Sequence, residues 1–128
     1  MSEVPVDLEI STTGGVCVVS FRSATVLDSL SVQRIGRQLY ALADERLARH
    51  ILVDCENIRF LSSQALGVLV NFRKRAESGG AQIVLAGLRS ELRRVLELTK
   101  LDKVFALQPT LQAALEQLGG GKGASPGE

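Results

Sequence analysis

The chain predicts a single α/β domain over residues 1–118, with a mixed, mostly parallel β-sheet and about four helices. Three observations carry this expectation. Apolar β-rich runs alternate with segments of helical periodicity and are joined by short loops, the pattern of crossover units that build parallel sheets. Two β-type runs at the start follow each other across Gly14-Gly15, a hairpin that makes the sheet mixed. The chain has 128 residues, 45% of them hydrophobic, enough to bury one core and too few for two comfortable domains.

The elements follow in order. Asp7-Leu-Glu-Ile-Ser11 alternates polar and apolar residues with period two, and Val16-Cys-Val-Val-Ser-Phe21 is a continuous β-rich run. A short apolar piece, Ala24 to Leu27, leads to Asp28 and Ser29, residue types that cap helices. Val32, Ile35, Leu39 and Leu42 then recur at helical spacing, and this helix ends between Asp44 and Arg49. His50-Ile-Leu-Val-Asp54 reads as a strand buried on both faces, interrupted by polar Glu56-Asn57. After Ile58-Arg-Phe-Leu61, the pair Ser62-Ser63 opens a second helix marked by Leu66, Leu69, Val70, Arg73 and Ala76, and Gly79-Gly80 stops it.

Ala81 to Ala86 is a further strand and Gly87 a turn. Ser90 is a cap for a third helix with Leu92, Val95, Leu96 and Thr99 on one face. A short strand is expected from Val104 to Leu107. Pro109-Thr110 opens a last helix carrying Leu111, Ala114, Leu115 and Leu118, stopped at Gly119. Residues 119–128 are a Gly-rich tail with too little apolar content to repay ordering, and disorder is expected there.

Composition excludes several classes of function. Fifteen basic against fourteen acidic residues give a formal charge of +1, so no whole-molecule field recommends nucleic acid or an anionic membrane. Arg73-Lys-Arg75 and Arg89, Arg93 and Arg94 are interleaved with Glu77, Glu91 and Glu97, which reads as solvated helix faces with i,i+4 pairing. No apolar run approaches the about 18–20 residues of a membrane span, and Met1 to Val6 lacks the features of a leader, so a cytoplasmic protein without direct membrane contact is expected. Cys17 and Cys55 read as two buried thiols. The single histidine, His50, opens an apolar strand, and no nucleophile spacing, Gly-rich phosphate loop or paired metal ligands occur. The chain is therefore expected to be non-enzymatic, with no cofactor, no metal and no catalytic residues.

The informative segment is Phe60-Leu-Ser-Ser-Gln-Ala-Leu-Gly67. Two hydroxyls there coincide with a helix start, where four backbone N–H groups lack intrahelical partners. Ser63 as the cap would bind the amide of Ala65 or Leu66. A phosphate on such a loop adds about −1.5 to −2 charge, tolerable to the helix dipole yet able to repel an acidic partner.

These residues resemble the STAS domain, the family of bacterial anti-sigma factor antagonists. The family's central stretch, Phe-x-Asp-Ser-(Ser/Thr)-Gly-Leu-Gly-Val, is similar to the run from Phe60 to Val68, and the resemblance extends upstream to Asp54 without a gap. Leu85-Ala-Gly-Leu88, Leu101-Asp-Lys-Val-Phe105 and Thr110-Leu-Gln-Ala-Ala-Leu115 match family patterns in the same order, and Asp28 stands where the family commonly has an acidic residue. The resemblance covers about Val6 to Leu118 and implies a STAS-like domain at 1–118.

What it implies about function is partner switching. The unmodified domain binds a serine-kinase anti-sigma factor and frees a sigma factor; the kinase reverses this by phosphorylating the antagonist, and a phosphatase is a further implied partner. ATP belongs to the kinase. Ser63 matches the family's nearly constant serine, but the usual acceptor falls on Gln64, the aspartate on Ser62 and the glycine on Ala65. Glutamine takes no phosphate and carries no charge. Either phosphate goes to Ser63 or Ser62, or neutral Gln64 keeps the domain permanently in its binding form. The contact surface is expected at Asp28, Ser62, Ser63, Gln64, Ala65 and Leu66. The sequence leaves the oligomeric state open.

Two other readings compete. A STAS-type scaffold or accessory subunit of a transporter or signalling assembly would share the fold without a sigma factor. A receiver-like phospho-acceptor would use Asp54 at a strand end, but the Ser11 to Gly15 region lacks the acidic pair such domains need to hold Mg²⁺.

Overall fold

The computed structural model describes residues 8–13, 15–21, 25–27, 29–45 and 49–118. The expected tail at 119–128 lies outside them, as does Asp28. Strands β1 (Leu8–Thr13) and β2 (Val16–Phe21) form the antiparallel hairpin, with Leu8 opposite Phe21 and Thr13 opposite Val16. Gly15 turns between them at a φ of 82°, a conformation open to glycine at little cost. Next come β3 (Thr25–Leu27), α1 (Ser29–Glu45), β4 (His50–Asp54), β5 (Ile58–Leu61) and α2 (Ser63–Ser78). The chain continues through β6 (Gln82–Ala86), α3 (Ser90–Leu98), a 3₁₀ turn at Leu101–Lys103, β7 (Ala106–Gln108) and α4 (Leu111–Gln117).

The main sheet runs β1-β2-β4-β6-β7, antiparallel only at its first pair, so it is the mixed, mostly parallel sheet that the alternating pattern predicts. β4 lies at its centre with Ile51, Leu52 and Val53 all buried, which is why its apolar run is unbroken. Strand alternation sends Cys17, Val19, Ile51, Val53, Ile83 and Leu85 to a core shared with α1, α2 and α3. Val16, Val18, Leu52, Val84 and Ala86 pack on the other face against Ala114 of α4. Phe72 of α2 and Leu39 of α1 are almost wholly buried in the first core, and burial of each contributes about 1.5–3 kcal/mol. No helix among the described residues is long and apolar enough to cross a membrane.

Four details depart from the sequence reading. β3 and β5 pair in parallel as a separate two-stranded sheet; at three and four residues they are too short to show a period. Arg89, with extended backbone, takes the cap position of α3 without a side-chain bond, and Ser90 is already the first helical residue. The expected strand at Val104 to Leu107 begins at Ala106 instead. Lys100 enters the left-handed region (φ 63°), and the amides of Val104 and Phe105 both donate to the Leu101 carbonyl, closing a turn where a strand was expected.

The fourth departure, the cap of α2, belongs to the site below. Gly79-Gly80 does end α2: Gly79 N–H donates to the Ala76 carbonyl at 3.0 Å, and Gly80 follows at a φ of 93°. Cys17 and Cys55 are free and buried. The paired face of α2 also appears, with Arg73 Nε 3.1 Å from the Glu77 carboxylate.

Candidate functional site

The start of α2 stands on a floor built by the ends of β4 and β5. Cys55 donates its amide to the Ala86 carbonyl at 2.8 Å, tying β4 to β6. Its thiol is pushed up to about 12, chiefly by burial and further by the neighbouring Asp54 carboxylate, so it is neutral and inert at ordinary pH. The Asp54 carboxylate accepts the Glu56 amide at 3.1 Å, and the Asn57 side-chain amide donates to the Phe21 carbonyl at 2.9 Å. These bonds fix the turn that sends the chain into β5. Gly87 permits the close approach: at a φ of 74°, a Cβ there would lie 2.6 Å from Glu56 Cγ.

Leu61 is buried at the end of β5, and Ser62 begins the helix with extended backbone (φ −74°, ψ 165°). Its hydroxyl accepts the Ala65 amide at 3.1 Å and its carbonyl accepts the Leu66 amide at 3.0 Å. The cap is therefore Ser62, not Ser63. A cap must be extended, and Ser63 is already the first helical residue.

Of the residues expected at the contact surface, Ser62 to Leu66 share this single turn but face different ways. Ser63 and Gln64 are exposed, Ser62 and Leu66 are half-buried, and Ala65 is 1% exposed. The Ala65 side chain packs into the core, so unlike its neighbours it is not part of the exposed surface on which the expected contact was placed. No bond engages the Ser63 hydroxyl among the described residues. Asp28 cannot be added to this geometry, since it lies outside the described residues.

One exposed residue next to the turn escaped the sequence reading. Phe60 of β5 is 51% exposed, whereas Ile58 and Leu61 of the same strand are buried. In Ile58-Arg-Phe-Leu61 the apolar residues fit no single alternating register, and that irregularity was the available signal.

Comparison with known proteins agrees with the fold. Residues 7–114 match the STAS domain. A STAS-domain containing protein of Pseudomonas aeruginosa is 37% identical over 87 residues, covering 61% of this chain and 86% of the relative. An anti-sigma F factor antagonist of Paenibacillus polymyxa is 23% identical over 111 residues, 87% of this chain and 93% of the relative. Among solved structures, an anti-sigma-factor antagonist domain protein from Planctomyces limnophilus superposes with a TM-score of 0.79 at 25% identity, covering 88% of this chain and 97% of that one.

Proposed function

This chain belongs to the STAS-domain family, and we propose that it acts there as an anti-sigma factor antagonist that binds a serine-kinase anti-sigma factor through the exposed first turn of α2. The observation that supports this most directly is the separation of roles within that turn. Ser62 holds the helix start, while Ser63 and Gln64 are exposed and make no side-chain bond among the described residues. A surface of this kind is read by a protein partner. It offers no nucleophile–base pair, so the proposed role is that of a non-enzymatic binding module.

The same geometry favours Ser63 over Ser62 as the phosphate acceptor. An acceptor hydroxyl must reach the γ-phosphorus of ATP held by the partner kinase. Its oxygen forms the new P–O bond, the bond to ADP breaks, and the hydroxyl proton leaves to solvent or a kinase base. The Ser63 hydroxyl is exposed and has no bond among the described residues, whereas that of Ser62 is half-buried and accepts a backbone bond. Phosphate on Ser63 places about −1.5 to −2 charge beside the α2 N-terminus, where the dipole tolerates it and an acidic partner does not.

The test is affinity purification of the tagged protein from its own cells, with and without ATP, followed by mass spectrometry of the captured proteins and of the Ser62–Gln64 peptide. A kinase-type anti-sigma factor released by ATP, with phosphate on Ser63, is the expected result. Wild-type phosphorylation of this loop in Ser63→Ala would remove the acceptor assignment. Recovery of a transporter or signalling assembly in place of a kinase would remove the sigma-factor role.

A further inference from the structure

The small sheet contains an irregularity that changes what it presents. Thr25 pairs with Ile58 and Val26 with Phe60, so Arg59 has no counterpart on β3 and forms a bulge in β5. In a regular strand Ile58 and Phe60 would share a face. The extra residue breaks that alternation: Ile58 is 0% exposed, Arg59 and Phe60 are both exposed, and Leu61 returns to the core. The bulge thus turns a large aromatic side chain to solvent two residues before the cap of α2. It does so in a chain whose aromatic content is only 4%.

The residue before Phe60 and the residue that starts the helix packed on β5 are both arginines, with Glu91 following in the first turn of that helix. Arg59 is exposed beside it, and α3 packs against β5 with Arg89 exposed at its start. Neither arginine makes an ion pair among the described residues, in contrast to Arg73 and Arg75, which are paired with Glu77 and Asp44. An exposed ring with exposed guanidinium groups on its own strand and at the start of a neighbouring helix, without ion pairs among the described residues, combines residue types enriched at protein interfaces.

We infer that the bulged edge of β5 extends the α2 contact surface, with Phe60 inserting into an apolar pocket of a protein partner and Arg59 and Arg89 facing acidic residues around that pocket. This rests on the binding role proposed for the α2 turn and specifies the partner's chemistry. It also supplies a reason for charge to act as a switch. Phosphate on Ser63 would add negative charge at the border of a surface that selects an acidic partner, and like charges would then meet.

The experiment places the photo-crosslinking residue p-benzoylphenylalanine at position 60 of the full chain in its own cells, with position 98 as control. Leu98 is 74% exposed at the end of α3 and belongs to no bulge. The expected result is a crosslink at 60, absent at 98, to an acidic segment of another protein. Affinity for that purified partner should fall tenfold or more in Phe60→Ala, with unchanged thermal unfolding. Arg59→Glu should weaken binding and flatten its dependence on NaCl. A crosslink only to a second copy of this chain or to nucleic acid overturns the inference, as does equal labelling at 60 and 98, or wild-type affinity in Phe60→Ala. If the crosslinked protein is a transporter subunit, the surface stands and the sigma-factor role falls. If a kinase binds wild type and Phe60→Ala equally, the antagonist role stands and the surface falls.

Discussion

Two helices of this protein begin almost identically, and only one of them borders the candidate site. In α2, the Ser62 hydroxyl accepts the Ala65 amide at 3.1 Å; in α4, the Thr110 hydroxyl accepts the Ala113 amide at 3.0 Å. Each cap is followed two positions later by an exposed glutamine, Gln64 or Gln112, and then by an alanine. The residues between and beyond differ. The first helical position of α4 is Leu111, half-buried against the second core, whereas in α2 it is the exposed Ser63. The hydroxyl cap is thus a folding device in both helices, and the contact role proposed for α2 rests on Ser63 and Gln64, outside the bond that starts the helix.

The largest effect that should separate the two starts is on partner binding. Gln64→Glu is expected to weaken association with the captured partner about 30-fold, roughly 2 kcal/mol, by bringing like charges together. Gln112→Glu should leave affinity unchanged. Both substitutions place a carboxylate in a first helical turn and should stabilise the fold by about 0.3–1 kcal/mol in urea titrations. Equal losses of affinity would show that the two starts are not functionally distinct.

A second difference lies in the floor. Cys55 lies in the same core as Ala65 of the α2 turn, and it keeps its proton in the folded state up to about 12 but loses it in the unfolded chain near the ordinary value of 9.0. Between those values the unfolded state binds fewer protons, so stability should fall as pH rises, by at most about 1.4 kcal/mol per unit, and should be unaffected below about 9. Buried Cys17, whose thiol is also raised, acts in the same direction. Comparing unfolding of wild type and Cys55→Ala at alkaline pH isolates the Cys55 share of this slope; the variant should keep only the part due to Cys17.

Removing the caps should have a smaller and equal effect. Ser62→Ala and Thr110→Ala are each expected to cost about 1 kcal/mol. Ser63→Ala should change stability by less than about 0.5 kcal/mol, as at an exposed site without a bond. Were Ser63→Ala the more damaging of the two serine changes in urea unfolding, the cap assignment would have to be reversed.

What the sequence made legible follows from how strongly each feature is signalled locally. The unbroken run at Ile51 to Val53, the glycine pair after α2 and the hydroxyl before α4 each carry their structural reason within a few residues. The STAS segment could be aligned because Phe60 to Val68 is compact. The choice between Ser62 and Ser63 was hidden, because either hydroxyl can cap and only the backbone angle decides. The outward turn of Phe60 was hidden for a different reason: a bulge is a relation between two strands, and β3 lies more than thirty residues away in sequence. The left-handed turn at Lys100 had no glycine to announce it.

The packing of Ala65 beneath two outward residues has an evolutionary consequence. Substitution at Ala65 is constrained by the core, and substitution at Ser62 by the helix start. Ser63 and Gln64 are constrained by neither. If the turn is the contact surface proposed above, its outward residues can be exchanged without compensating stability being acquired elsewhere. Position 64 is a place where the scaffold registers a substitution hardly at all.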